Sequence, residues 1–155
     1  MPPTISRSAP VGAGRFATGG VGHGHIMRSG PLPLKLHAIV EPPVAIVFIL
    51  APFVLGFDDD IAQTLSVLAG ILELGLFSTT RWRVAPLKVL SLGAHAVADF
   101  VTGAILVLAP FVFGFSDETS PTVFFVVMGV TLLAVTAATR FDPADPFAVD
   151  PVRAA

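Results

Sequence analysis

Five ionisable side chains interrupt otherwise apolar stretches of this 155-residue chain: His37, Glu41, Glu73, His95 and Asp99. His37 with Glu41, and His95 with Asp99, are each spaced i, i+4, so on a helix both members of a pair share one face and can hydrogen-bond or ion-pair. Charged groups in a bilayer are costly and usually face a partner or a water-filled cavity. Three chemistries suit two histidines and three carboxylates. Histidine titrates near neutrality, so the set could relay protons. Imidazole and carboxylate also ligate divalent metals. The third reading is structural: interfacial pairs that hydrogen-bond across to another helix, with Glu73 held by His37, His95 or Arg83. Enzymatic chemistry finds no further support, because the chain has neither a nucleophile–base motif nor a phosphate-cradling Gly loop after a strand. A second histidine pair, His23-Gly24-His25, lies in a Gly/Pro-rich stretch and reads as incidental.

The elements that must position these residues follow from composition. Hydrophobic residues make up 54% of the chain and charged ones 13%, and mean hydropathy is +0.82. A soluble domain carries about 25% charged residues, so an ordinary cytosolic enzyme is excluded. The absence of cysteine removes a disulfide scaffold, and nine Lys plus Arg with net charge −2 leave no basic surplus for nucleic acid. Four apolar segments, about 36–57, 61–80, 90–115 and 119–139, each have roughly the 20 residues that a helix needs to cross the hydrocarbon layer. Every Lys and Arg falls on one side of them: Arg7, Arg15, Arg28 and Lys35 before the first, Arg81, Arg83 and Lys88 between the second and third, Arg140 and Arg153 after the fourth. The other two loops, Asp58-Asp59-Asp60 and Ser116-Asp117-Glu118, are acidic. Positively charged loops stay in the cytoplasm, so both termini are expected there. By helix rise Asp99 lies roughly 24 Å and Glu73 roughly 20 Å from the outer turns, in the cytoplasmic half of the bilayer.

The chain is also a tandem repeat. At an offset of 58, His37-Ala38-Ile39-Val40-Glu41 lies over His95-Ala96-Val97-Ala98-Asp99. At the same offset, Leu50-Ala51-Pro52-Phe53-Val54-Leu55-Gly56-Phe57-Asp58-Asp59 matches residues 108–117 at eight of ten positions. One added loop residue then pairs Gly70 with Gly129, Glu73 with Leu132, and Thr80-Arg81-Trp82 with Thr139-Arg140-Phe141. The unit is a helical hairpin used twice, and two such copies should be related by a pseudo-two-fold axis along the membrane normal. In the shared motif, Pro52 and Pro110 should bend or end their helices, Gly56 and Gly114 suit left-handed caps, and Phe57 and Phe115 sit at the interface or in the hairpin tip. Glu41 before Pro42-Pro43 resembles an N-cap, which would start the first membrane helix at Pro42 with Leu36–Glu41 as a separate turn. Ala94, Ala98 and Thr102 form a small-residue stripe suited to close helix contact.

These features resemble the SPW-repeat family of small bacterial membrane proteins, over about Leu34 to Phe141. The family's Ser-Pro-Trp is here Ala51-Pro52-Phe53 and Ala109-Pro110-Phe111, so only the proline matches strictly. The resemblance implies fold and membrane location, and carries no activity with it.

The expected fold is therefore all-α: an integral membrane, left-handed four-helix bundle of two hairpin repeats, 34–83 and 84–141. A Gly/Pro/Ser-rich tail, 1–33, is expected to be disordered, and 142–155 forms a second cytoplasmic tail. The tail has no apolar run of the kind a secretory signal needs, and Met27 offers an alternative start that would remove the first 26 residues. The expected role is a non-enzymatic scaffold or accessory subunit of the bacterial inner membrane, with no cofactor. Its partners would be the lipid bilayer and a second copy or another membrane protein. A small transporter or proton conduit is the alternative.

Overall fold

The computed structural model describes residues 30–149. Most of the 1–33 tail, His23, His25 and Met27 included, and the end of the C-terminal tail lie outside the described residues. Among the described residues four helices are formed: α1 (Leu34–Leu55), α2 (Asp60–Thr79), α3 (Leu92–Phe113) and α4 (Thr119–Ala138), each long and apolar enough to cross a membrane. Helix α1 packs chiefly on α2 and α3 on α4, while α1–α4 and α2–α3 contacts join the two hairpins. The outward surfaces carry Phe53, Val54, Phe111 and Val112 exposed, which suits hydrocarbon as solvent.

Each odd-numbered helix ends where its glycine turns left-handed, Gly56 at φ 63° and Gly114 at φ 82°, with the cap N–H returned to the carbonyl of Pro52 or Pro110. The following Phe57 and Phe115 fold inward and are buried with Phe48, Leu106 and Phe125 in a core that fills the half of the bundle nearer the two hairpin tips. Asp59 caps α2, accepting from the Ala62 N–H at 2.8 Å. Within the hairpins the helices approach through glycine. A Cβ on Gly70 would stand 2.5 Å from the Ala45 carbonyl oxygen, and one on Gly129 would stand 2.8 Å from the Gly103 oxygen and from the Val107 nitrogen.

Three expectations need correction. Helix α1 runs without a break through Pro42 and Pro43 and starts at Leu34 behind Pro33. Glu41 caps nothing because its carboxylate turns into the bundle, and neighbouring helices make internal proline tolerable in such a setting. Of the Ala94 stripe on α3, Thr102 alone is buried, with Ala98 half-buried and Ala94 exposed; the close approach to α4 is made by Gly103. Parts of both tails belong to the folded body. Leu32 bridges to Thr139, its N–H donating to the Ala138 carbonyl at 2.9 Å and its own carbonyl accepting from Arg140 N–H at 2.9 Å. Its repeat-mate Leu90 makes the same pair of bonds with Thr79 and Arg81. Residues 142–149 fold back over the loop between hairpins, where Trp82 pairs with Ala148.

Candidate functional site

The first two turns of α1 and α3 carry His37, Glu41, His95 and Asp99, and the bundle brings all four together at its centre. One atom of each lies within 4.8 Å of the others. His95 Nε2 stands 3.0 Å from Glu41 Oε1 on the other hairpin. Asp99 Oδ2 is shared, 3.3 Å from the Nε2 of both His37 and His95. The i, i+4 partners His37 and Glu41 are farther apart, 4.0 Å. All four residues are at most 6% exposed, so they are sequestered rather than set at the water interface.

The far sides of the imidazoles are held by the ends of the even-numbered helices. His37 Nδ1 meets Thr139 Oγ1 at 3.0 Å, and His95 Nδ1 meets Thr80 Oγ1 at 2.8 Å. Each threonine hydroxyl also lies against the carbonyl four residues earlier, Thr80 to Leu76 at 2.6 Å and Thr139 to Val135 at 2.7 Å. Two oxygens that close need a proton between them, and a hydroxyl has only one to give. The threonines therefore donate to the backbone and accept from the rings. That places a proton on Nδ1 of both histidines and leaves both Nε2 atoms on the side of the carboxylates, at 3.0–3.3 Å. Each histidine reaches the threonine of the opposite hairpin, so the repeats are interlocked.

Trp82 and Phe141 cover this layer. Trp82 is fully buried, its ring centroid 4.7 Å from that of His95, and Phe141 lies 5.2 Å from His37. The indole N–H donates to the Phe77 carbonyl at 3.0 Å. Thr136 donates to Asp99 Oδ2 at 3.2 Å. Glu73 does not join the four-residue centre. It lines a cavity of about 90 Å³ together with His37, Glu41, Phe48, Met128 and its own repeat-mate Leu132. Its Oε1 has no hydrogen-bond partner among the described residues, so the expected bond to His37, His95 or Arg83 is not made through that atom.

A family model described as the SPW repeat domain matches residues 35–139. The chain belongs to the SPW repeat family. No curated protein and no solved structure matches it. The SPW repeat match takes in both hairpins, the four central residues, and the helix ends that carry Thr80 and Thr139. Together with the four membrane-length apolar helices, it makes the chain a multi-pass membrane protein. Sequence reasoning missed Thr80, Thr136, Thr139, Trp82 and Phe141 as parts of the site. The signal for two of the threonines and both aromatics was present, because Thr80-Arg81-Trp82 and Thr139-Arg140-Phe141 are repeat-equivalent. A threonine at a helix end reads locally as a turn residue, however, and only the bundle sets it beneath a histidine.

Proposed function

We propose that this SPW repeat protein is a non-enzymatic scaffold or accessory subunit of the bacterial inner membrane, with both termini in the cytoplasm. The observation that carries the reading is that the polar centre ties the two hairpins together and is closed on both sides. Trp82 and Phe141 lie over it, and Phe48, Ala51, Leu106, Ala109 and Phe125 fill the bundle beyond it. A proton path across the bundle would need polar groups or water in that outer half. Among the described residues the buried polar side chains beyond the centre are Thr102 and Ser66, and Ser66 donates to the Phe48 carbonyl at 2.6 Å. The segregation of basic and acidic loops supports the orientation. The apolar outer faces leave room for lipid, a second copy or a larger membrane partner.

The test is twofold. In proteoliposomes the protein should pass protons and monovalent cations no faster than protein-free vesicles. Affinity isolation from the native membrane should yield a stoichiometric membrane partner or a self-assembly. Flux above the vesicle background that disappears in a His95→Leu/Asp99→Leu variant would overturn the scaffold and establish the conduit.

A further inference from the structure

The centre has a geometry that hydrogen bonding among its members does not explain. His37 Nε2, His95 Nε2, both Glu41 oxygens and Asp99 Oδ1 are buried without a hydrogen-bond partner among the described residues. Yet His95 Nε2 lies 3.0 Å from Glu41 Oε1, and both Nε2 atoms lie 3.3 Å from Asp99 Oδ2. The atoms are close enough to bond, but the rings do not aim at the oxygens. One atom of each residue nevertheless lies within 4.8 Å of the others around a common space. In the neutral ring with its proton on Nδ1, each Nε2 would present a lone pair to that space, as would each carboxylate. Two carboxylate charges would then be buried with no Lys or Arg ion pair to them among the described residues, which is costly unless a cation compensates.

We propose that His37, Glu41, His95 and Asp99 bind one divalent transition-metal ion of the zinc class. In a tetrahedral zinc site with ligands at 2.0–2.2 Å, neighbouring ligand atoms are about 3.3–3.5 Å apart. Three of the six separations here, 3.0, 3.3 and 3.3 Å, lie at or just inside that edge, a fourth is 4.0 Å, and all fall within 4.8 Å, so the ion would draw the set together slightly. Metal-bound histidines characteristically donate their second N–H to an outer partner that fixes ring and tautomer, and Thr80 and Thr139 fill that role. Two neutral imidazoles and two carboxylates bring a dication to neutrality, as burial in a bilayer demands. Four protein ligands close the coordination sphere, the hallmark of a structural site rather than a catalytic one. One histidine and one carboxylate come from each hairpin, so the ion fastens the repeats. The site stands independently of what the bundle's outer faces bind.

The test uses the full-length protein with a histidine-free affinity tag, purified in detergent, stripped with a chelator and titrated with zinc or cobalt(II) chloride. One zinc per chain should survive desalting, and cobalt should give the intense visible bands of a tetrahedral centre. Zinc X-ray absorption should show four N/O neighbours at about 2.0 Å. The double variant His37→Gln/His95→Gln should lose the ion. Thr80→Ala and Thr139→Ala should each weaken binding by about 10–100-fold, with Thr80→Ser and Thr139→Ser restoring it. His23→Gln/His25→Gln should leave the stoichiometry unchanged. Retention of less than about a tenth of an equivalent by the wild type, an octahedral cobalt spectrum, or equal zinc affinity in the double histidine variant would each overturn the proposal. Where the double variant fails to fold, the wild-type cobalt and X-ray spectra decide alone.

Discussion

Alanine at the two repeat-equivalent glycines, Gly70→Ala and Gly129→Ala, should destabilise the bundle, whereas Gly75→Ala should not. The contrast comes from what a methyl group would meet. At Gly75 nothing lies within 4 Å of the added Cβ, so the substitution gains the helix propensity of alanine, about 0.8–1.0 kcal/mol. At Gly70 the Cβ would stand 2.5 Å from the Ala45 carbonyl oxygen and 2.6 Å from Ile49 Cγ1, against 3.4 Å for ordinary contact. The Ala45 oxygen belongs to the backbone and cannot rotate away, so α1 and α2 must separate locally by about 0.9 Å. A gap of 0.5–1 Å forfeits a quarter to a half of each dispersion well along the seam, and overpacking of this kind typically costs about 1–3 kcal/mol. Less the propensity gain, Gly70→Ala should lose about 0–2 kcal/mol and sit about 1–3 kcal/mol below Gly75→Ala. Gly129→Ala should behave alike, since two of its contacts at 2.8 Å are with backbone atoms of α3. Reversible unfolding in mixed detergent micelles, followed by the fluorescence of the lone Trp82 at the seam of both hairpins, measures all three. If Gly70→Ala and Gly129→Ala unfold at or above the midpoint of Gly75→Ala, the hairpins are not held by glycine contact and the reasoning fails.

Gly56→Ala and Gly114→Ala meet no steric obstacle at Cβ, yet stand at φ 63° and 82°; each should cost about 1–2 kcal/mol by conformation alone, and an unchanged unfolding midpoint would contradict the left-handed caps. The chain contains no cysteine, so Ser116→Cys and Pro86→Cys, both at exposed loop positions, report sidedness directly. A membrane-impermeant thiol reagent applied to intact spheroplasts should label the first and reach the second only after permeabilisation. The reverse pattern would invert the proposed orientation.

How far the fold could be read from sequence differs by element. Apolar runs punctuated by Pro52, Gly56 and Asp58, and by Pro110, Gly114 and Asp117, mark the spans closely, because in a bilayer length and charge placement are strong constraints. Which face of each helix looks inward was not legible. A membrane helix is apolar on both its lipid side and its bundle side, so periodicity separates them poorly. That is why Ala94, Ala98 and Thr102 suggested a contact that Gly103 makes. The Pro42-Pro43 break failed for a related reason: local rules priced the lost backbone bonds, while burial of His37 and Glu41 on the inner face kept the helix whole. Within the site, the two His–acid pairs stood out by spacing. One pair keeps its internal contact, His95 to Asp99 at 3.3 Å, but contacts equally close or closer run between pairs, from His95 to Glu41 and from His37 to Asp99, and sequence spacing carries no information about that exchange.

The exchange bears on why the hairpin is duplicated. A single hairpin supplies one histidine, one carboxylate and one threonine, yet its threonine serves the other copy's histidine. Taken alone, it would leave its imidazole Nδ1 without the threonine that holds it, at about 1–3 kcal/mol for an unsatisfied buried group. Two hairpins close the arrangement, and fusing them in one chain guarantees the encounter. Around this symmetric centre the copies have diverged. Thr136 donates to Asp99 where the first hairpin has Phe77, and Glu73 shares a cavity with Leu132. Divergence thus lies beside the histidine–acid–threonine set and leaves it intact in both copies. That pattern fits a centre needed to join the hairpins, with Glu73 free to take a role of its own on one side only.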